Sequence, residues 1–232
     1  MKIIKFLAVL ASLMILVGIL LSIIFTISFD QNFYKQEYTT YGQAEKIGMS
    51  EDDLMNSTTT LLDYLQDKRD DIVVEATIQG NSVEVFNQRE TLHMVDVKNL
   101  FQNALKARDI LLWGGCVLLA VLLASHRSSW LTLLKKGYQY GLLILGIVIG
   151  VLGIWAAFDF YDFWVDFHYL FFTNTLFFLD PNTSIMINMF PENFFFDLVF
   201  RIIVCFAVIA AVLGVMIHWM YLMKQRKVLK ND

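Results

Sequence analysis

The chain has 232 residues, 57% of them hydrophobic and only 17% charged, with a mean hydropathy of +0.56. Soluble domains run at about 45–50% apolar and about 25% charged, so an ordinary soluble globule is excluded and a membrane protein is expected. A net charge of −4 excludes a nucleic-acid binder. The two cysteines, Cys116 and Cys205, sit inside apolar runs without ligand-like spacing, which excludes a disulfide framework.

A helix needs about 20 apolar residues to cross about 30 Å of hydrocarbon. Phe6–Phe29, Gly137–Phe158 and Ile202–Met223 meet that outright, and Ile110–Ser125 meets it if Lys106, Arg108 and Arg127 snorkel to the head groups. The first run follows a basic start (Lys2, Lys5) but outlasts a signal-peptide core and lacks a small-x-small site after it, so it is expected to be an uncleaved span. The amino end, the loop with Arg127, Lys135 and Lys136, and the tail together hold nine cations and one acid, Asp232. The two long segments between them hold nine cations and 21 acids, giving +8 on one side of the membrane and −12 on the other. Lys and Arg mark the cytoplasmic face, so both termini are expected inside and both long segments outside.

The expected fold is an all-α polytopic membrane protein, four transmembrane helices with a small α+β extracytoplasmic cap domain. Its expected segments are the amino end with the first span (1–29), the cap (30–108), the second span (109–126), a cytoplasmic loop (127–136) and the third span (137–158). An aromatic-rich outer segment (159–198), the fourth span (199–223) and a cytoplasmic tail (224–232) complete it. In the cap, Ser50 followed by Glu51-Asp52-Asp53 and the leucines at 54, 61, 62 and 65 predicts a capped amphipathic helix from about 51 to 66. Residues 72–79 and 82–86 predict a β-hairpin turning at Gly80-Asn81, which is too small to stand alone and needs a helix or the membrane surface beneath it. Asn87 and Glu90 predict a capping pair that starts a helix running through His93 into the second span.

His93 and Asp96, three apart, share one face of that helix, where the carboxylate can accept the ring Nδ1–H and fix its tautomer. The same spacing describes an ordinary His–Asp pair on a solvated face. His168 lies in Phe163–Asn174, a stretch too aromatic to lie free in water, and an interfacial anchor is the plain alternative to a chemical role for it. Asp159, Asp162 and Asp166 recur at helical spacing and predict an outward continuation of the third span. Pro191-Glu-Asn predicts the start of the last helix. His126 and His218 fall on the cytoplasmic side and receive no role.

Two outward histidines, a nearby Asp and no recognisable Ser or Cys elbow point to acid–base chemistry on an amphiphilic substrate, and acyl transfer at ester depth fits. Two other readings stand beside it: a metal-dependent membrane hydrolase with His93, Asp96 and His168 as ligands, and a non-enzymatic membrane scaffold.

Three pieces of the chain resemble one family, the bacterial lipoprotein intramolecular transacylases: Arg89-Glu-Thr-Leu-His-Met-Val-Asp-Val-Lys98, Phe167-His-Tyr-Leu-Phe-Phe-Thr-Asn174 and Asn188-Met-Phe-Pro-Glu-Asn-Phe-Phe195. The four-span layout with an outward domain after the first span is similar too. Where family members often carry Trp soon after that Asn, this chain has Leu176-Phe-Phe178. The resemblance implies an acyltransferase of the bacterial cytoplasmic membrane that acts on its outer face. Its substrates would be diacylglyceryl lipoproteins, and the sn-2 acyl chain would move to the α-amine of the same cysteine, with no metal, cofactor or second substrate. His93 and His168 then match the family's functional histidines. Asp96 is expected to orient His93 as base, Asn174 to assist His168 at the leaving oxygen or oxyanion, and Arg89 or Lys98 to help the oxyanion or hold a carbonyl. Exchanging the two histidine roles fits equally well.

Overall fold

The computed structural model describes residues 2–190 and 192–229 and is almost entirely helical apart from one hairpin. Four helices are long and apolar enough to cross a membrane: α1 (Lys2–Ser28), α5 (Gln88–Ser125), α6 (Trp130–Phe158) and α9 (Glu192–Leu229). The chain is an all-α membrane protein with a two-stranded sheet in its non-spanning part. It divides into two compact units.

One unit gathers the spanning segments, up to Ile24, Leu105–Trp155 and from Arg201 on. Helix α1 is its best-buried element, and it is held by small residues rather than by large ones. Ala8 and Ala11 are fully buried. A Cβ at Gly137 would sit 2.7 Å from the Ala8 carbonyl oxygen, and one at Gly115 3.0 Å from that of Ala11. Lipid tails are as apolar as leucine, so helices in a bilayer gain by close backbone approach, which these glycines permit.

The other unit comprises Phe25–Ala104 and Ala156–Phe200. Its core is aromatic: Phe33, Tyr34 and Tyr38 of α2 (Gln31–Tyr41) interlock with Phe190 and Phe194 at ring-centroid distances of 5.0–6.3 Å. The buried hydroxyls are satisfied, Tyr34 on the Ser28 carbonyl at 2.7 Å and Tyr38 on Thr58 at 2.8 Å, as buried polar groups require. Helix α3 (Gln43–Ile47) leads to α4 (Glu51–Leu65), whose amino end Ser50 caps by accepting the Asp53 N–H at 3.0 Å.

The hairpin pairs β1 (Glu75–Ile78) with β2 (Asn81–Glu84) and packs on the start of α4, where Asp53 accepts the Thr77 N–H at 3.2 Å. Its turn is Gln79-Gly80, one residue earlier than the sequence suggests. A two-residue hairpin turn of this hand requires positive φ at both central positions, and these two supply +50° and +83°. Glycine takes the second place and Gln79 bears the cost at the first.

The acidic repeat after the third span also departs from expectation. Asp159 does not continue α6; it breaks it. Its backbone is extended (φ −152°, ψ 91°) and its carboxylate accepts the Asp162 N–H at 3.0 Å, capping a separate helix α7 (Phe160–Phe171). Asp favours such a cap over a helix interior because its short side chain competes for backbone donors. Beyond α7 come a loop and the short α8 (Ile185–Met189), capped by Ser184. Pro191, expected to open the last helix, lies outside the described residues.

Because its Cβ would meet backbone, Gly137→Ala should lower stability by about 1–3 kcal/mol. Gly150→Ala, with nothing within 4 Å of the new atom, should be neutral or slightly stabilising. Thermal unfolding in detergent separates the two; an unchanged Tm for Gly137→Ala would contradict the close α1–α6 approach.

Candidate active site

Helix α5 opens on a reciprocal cap: Glu90 accepts the Asn87 N–H at 2.6 Å while Asn87 Oδ1 accepts the Glu90 N–H at 3.0 Å. The sequence announces that much. Glu90 does more, because it is fully buried and its other oxygen accepts both the Ser184 hydroxyl and the Met186 N–H, the latter at 3.1 Å. The start of α5 is thereby tied to α8. One turn further on, the same face carries His93, 5% exposed.

His168 comes from α7. Its Nδ1 lies 2.6 Å from the Trp164 carbonyl one turn back. A carbonyl only accepts, so Nδ1 carries the proton and the Nε2 lone pair is left free. The two imidazoles stand 5.9 Å apart between centroids, at 36° to each other. Phe172 touches both rings (5.4 and 5.7 Å), Phe177 lies 4.8 Å from His168, and Trp164 meets His168 edge-on at 5.2 Å. The structure therefore joins two histidines 75 positions apart in sequence inside one aromatic enclosure.

Both rings are outside the spanning run Ile110–Ser125, and both are held neutral. Burial pushes His93 down to about 4, and His168 across the enclosure adds to the effect; Asp96 pulls upward without compensating, and Arg89 pulls down. Burial also lowers His168, partly offset by the Trp164 carbonyl, which favours the charged ring. A charge on His168 therefore disfavours one on His93.

Asp96 does not take the role its spacing suggests. His93 Nδ1 is buried without a hydrogen-bond partner, and the Asp96 carboxylate instead accepts the Asn174 side-chain N–H at 2.8 Å. The ring has turned into the aromatic enclosure, out of the carboxylate's reach. Asn174 in turn accepts the Leu176 N–H at 3.0 Å, so the two residues fold the loop after α7 back onto α5. Arg89 serves the same loop, donating to the carbonyls of Phe178 (3.0 Å) and Thr175. Lys98 is not brought to the pair. Five residues beyond His93 it points about 140° around the helix, pairs with Asp67 at 2.7 Å and lies over the Tyr64 ring at 4.4 Å. Among the described residues no group of three His, Cys, Asp or Glu is placed to hold a metal ion.

The profile described as "Lipoprotein intramolecular transacylase Lit" matches residues 8–195. The chain belongs to the Lit family. It is accordingly an acyltransferase, and lipoproteins are the substrates on which the family acts. Its fold is similar to the membrane-integral Lit of Bacillus cereus, at a TM-score of 0.72 and 20% identity over 98% of this chain and 99% of that one. The same protein with a histidine-to-alanine mutation matches at a TM-score of 0.71 and 19% identity, over 98% and 96%. No curated protein matches the chain at a significant level.

For a Lit transacylase, most of the parts that sequence reading misses are fixed by distant contacts. Ser184, Met186, Phe177 and the Trp164 carbonyl carry no motif. Trp164 alone leaves a trace, since it stands one helical turn before His168 and offers a carbonyl to the ring.

Asp96→Ala and Asn174→Ala remove the same bond, so their effects on unfolding free energy should fall short of additive by roughly 1.5–3 kcal/mol, the range for a hydrogen bond to a charged group. A double-mutant cycle measures it, and strict additivity would mean the loop is held otherwise.

Proposed function

We infer that this Lit family member moves the sn-2 acyl chain of an S-diacylglyceryl cysteine to that cysteine's own α-amine, leaving an N-acyl, S-monoacylglyceryl lipoprotein. One observation carries the reading: two neutral imidazoles side by side in an aromatic enclosure, one with its tautomer fixed.

As the free amine attacks the ester carbonyl carbon, His168 Nε2 takes the proton that nitrogen sheds. The resulting imidazolium, made more acidic by burial, returns that proton to the glyceryl oxygen as the C–O bond breaks. One amide forms, one ester is lost, and no proton is gained or lost overall. His93, kept neutral beside a charged His168, donates a hydrogen bond from its ring to the developing oxyanion. A neutral histidine suits that task better than a charged one would, because a charge on His168 disfavours one on His93. Phe172, Phe177 and Trp164 keep water from the ester so that the amine, not hydroxide, is the acceptor. Leu92, Val95, Tyr169, Leu170 and Phe171, which neighbour the two histidines in sequence on α5 and α7, are exposed apolar side chains that suit lipid rather than water.

The charge balance supports an orientation in the bacterial cytoplasmic membrane with both termini cytoplasmic. Segments 30–108 and 159–198, and the histidine pair with them, then lie on the outer face, where lipoproteins are found.

Mass spectrometry of lipoprotein amino-terminal peptides tests the reaction in bacteria that lack N-acylation. With this protein, N-acyl S-monoacylglyceryl cysteine should appear, and with His168→Ala it should fall by about 100-fold or more; unchanged diacylglyceryl peptides in both would overturn the assignment. The pH profile gives a second test. An α-amine titrates near 8, and both histidines titrate below their usual range. The log rate should therefore fall with a slope of one as pH drops from 7.5 past 6.5, where an ordinary histidine would begin to add a second unit. A slope of two beginning near 6.5 would show a histidine charging in its ordinary range. Stability follows the same groups: a lowered histidine pKa makes the unfolded chain bind protons first, so stability falls as pH drops from about 6.5 toward about 4.

A further inference from the structure

In the spanning unit, α6 and α9 enclose an open groove of about 590 Å³ that the transacylation has no use for. We propose that this groove is a binding site for one anionic phospholipid, with its head group at Lys135, Gln139 and His218 and an acyl chain laid along Leu142, Gly146 and Ile147.

The lining is divided by polarity along its length. Lys135 and Gln139, then Leu142 and Gly146, follow one another at helical spacing on α6, so they form a single stripe that turns from polar to apolar. From Lys135 to Ile147 the helix rises about 18 Å. Half of a 30 Å hydrocarbon core is about 15 Å, so the groove has the reach of one leaflet. That length matches an acyl chain and falls short of what a partner's spanning helix would occupy. Gly146 leaves the space open: a Cβ there would meet nothing within 4 Å. Tyr138, also in the lining, is committed, since its hydroxyl donates to the Ala210 carbonyl.

Charge selects the lipid class. No Asp or Glu occurs from Ile110 to Phe158 or from Leu198 to Leu229, whereas Arg127, Lys135, Lys136, Lys224 and Arg226 lie in those stretches. Lys224 is occupied with the Ser128 carbonyl at 2.9 Å, and Lys135 sits over the Tyr221 ring at 4.2 Å, which holds the ammonium at the mouth of the groove. Basic pockets between spanning helices are suited to anionic head groups and give little to zwitterionic ones. With the amino terminus inside, this is the inner leaflet, the opposite side from the histidine pair.

The test uses the full chain in nanodiscs, titrated with phosphatidylglycerol or phosphatidylcholine and read by native mass spectrometry. Wild type should retain phosphatidylglycerol about fivefold or more over phosphatidylcholine. Lys135→Gln with His218→Gln should bring the ratio near one, while Lys136→Gln, which removes the same charge outside the lining, should leave it unchanged. Gly146→Phe fills open space rather than displacing atoms, so it should fold as wild type by circular dichroism and lose bound lipid of both kinds. Equal retention of the two lipids by wild type would overturn the proposal. So would a loss in Lys136→Gln as large as in Lys135→Gln, full retention by Gly146→Phe, or displacement of the lipid by soluble glycerol phosphate. Transacylation does not enter the readout.

Discussion

A carboxylate with no exposed surface is an expensive group to bury, and it is tolerated only when every oxygen is bonded. Glu90 meets that condition through donors from three places: the backbone of Asn87 beside it and the hydroxyl and N–H of Ser184 and Met186, 94 and 96 positions away. One oxygen is held by Asn87 and the other by both Ser184 and Met186, so the contact fixes α8 against the amino end of α5. From that anchor the helix face does the rest. Arg89 and Asp96 hold the loop after α7, and His93 lies between them on the same side, one turn from each. A regular helix thus sets the positions of one histidine and of the loop that closes over the other.

The electrostatics follow from the same enclosure. Aromatic walls strip water from both imidazoles, and the loss of hydration outweighs the attraction of Asp96 for a charged His93. A carboxylate one turn away is usually read as a base-activating partner. Here it is spent on a loop amide, and the tautomer that matters is set by a backbone carbonyl on α7. Burial lowers both rings, and the nearness of His168 lowers His93 further.

Much of this was legible in the residues. Apolar run lengths and the two-sided charge distribution are properties of local composition, and they name the four spans. Capping signals at Ser50 and at Asn87–Glu90 are local too, and both caps form as spelled. The histidine stretches stand out because ionisable groups are rare among so many aromatic residues. What was not legible depends on pairs far apart in sequence. Nothing near Asp96 announces Asn174, and nothing near Lys98 announces Asp67. Asp159 misled because a period of three or four describes a helix equally well whether the first member sits inside it or caps it. The hairpin turn slipped by one residue because Gly80 can occupy either central position, and the choice falls on Gln79, which has no strong signal of its own.

Histidine-selective 15N NMR of the purified protein in micelles, assigned with His93→Gln and His168→Gln, tests the central claim directly. At pH 7 both rings should be neutral, with the His168 proton on Nδ1, and His93 should begin to charge only as pH approaches about 4. An imidazolium at pH 7 in either ring, or an Nε2–H tautomer for His168, would contradict the account of a neutral pair with His168 Nε2 as the base.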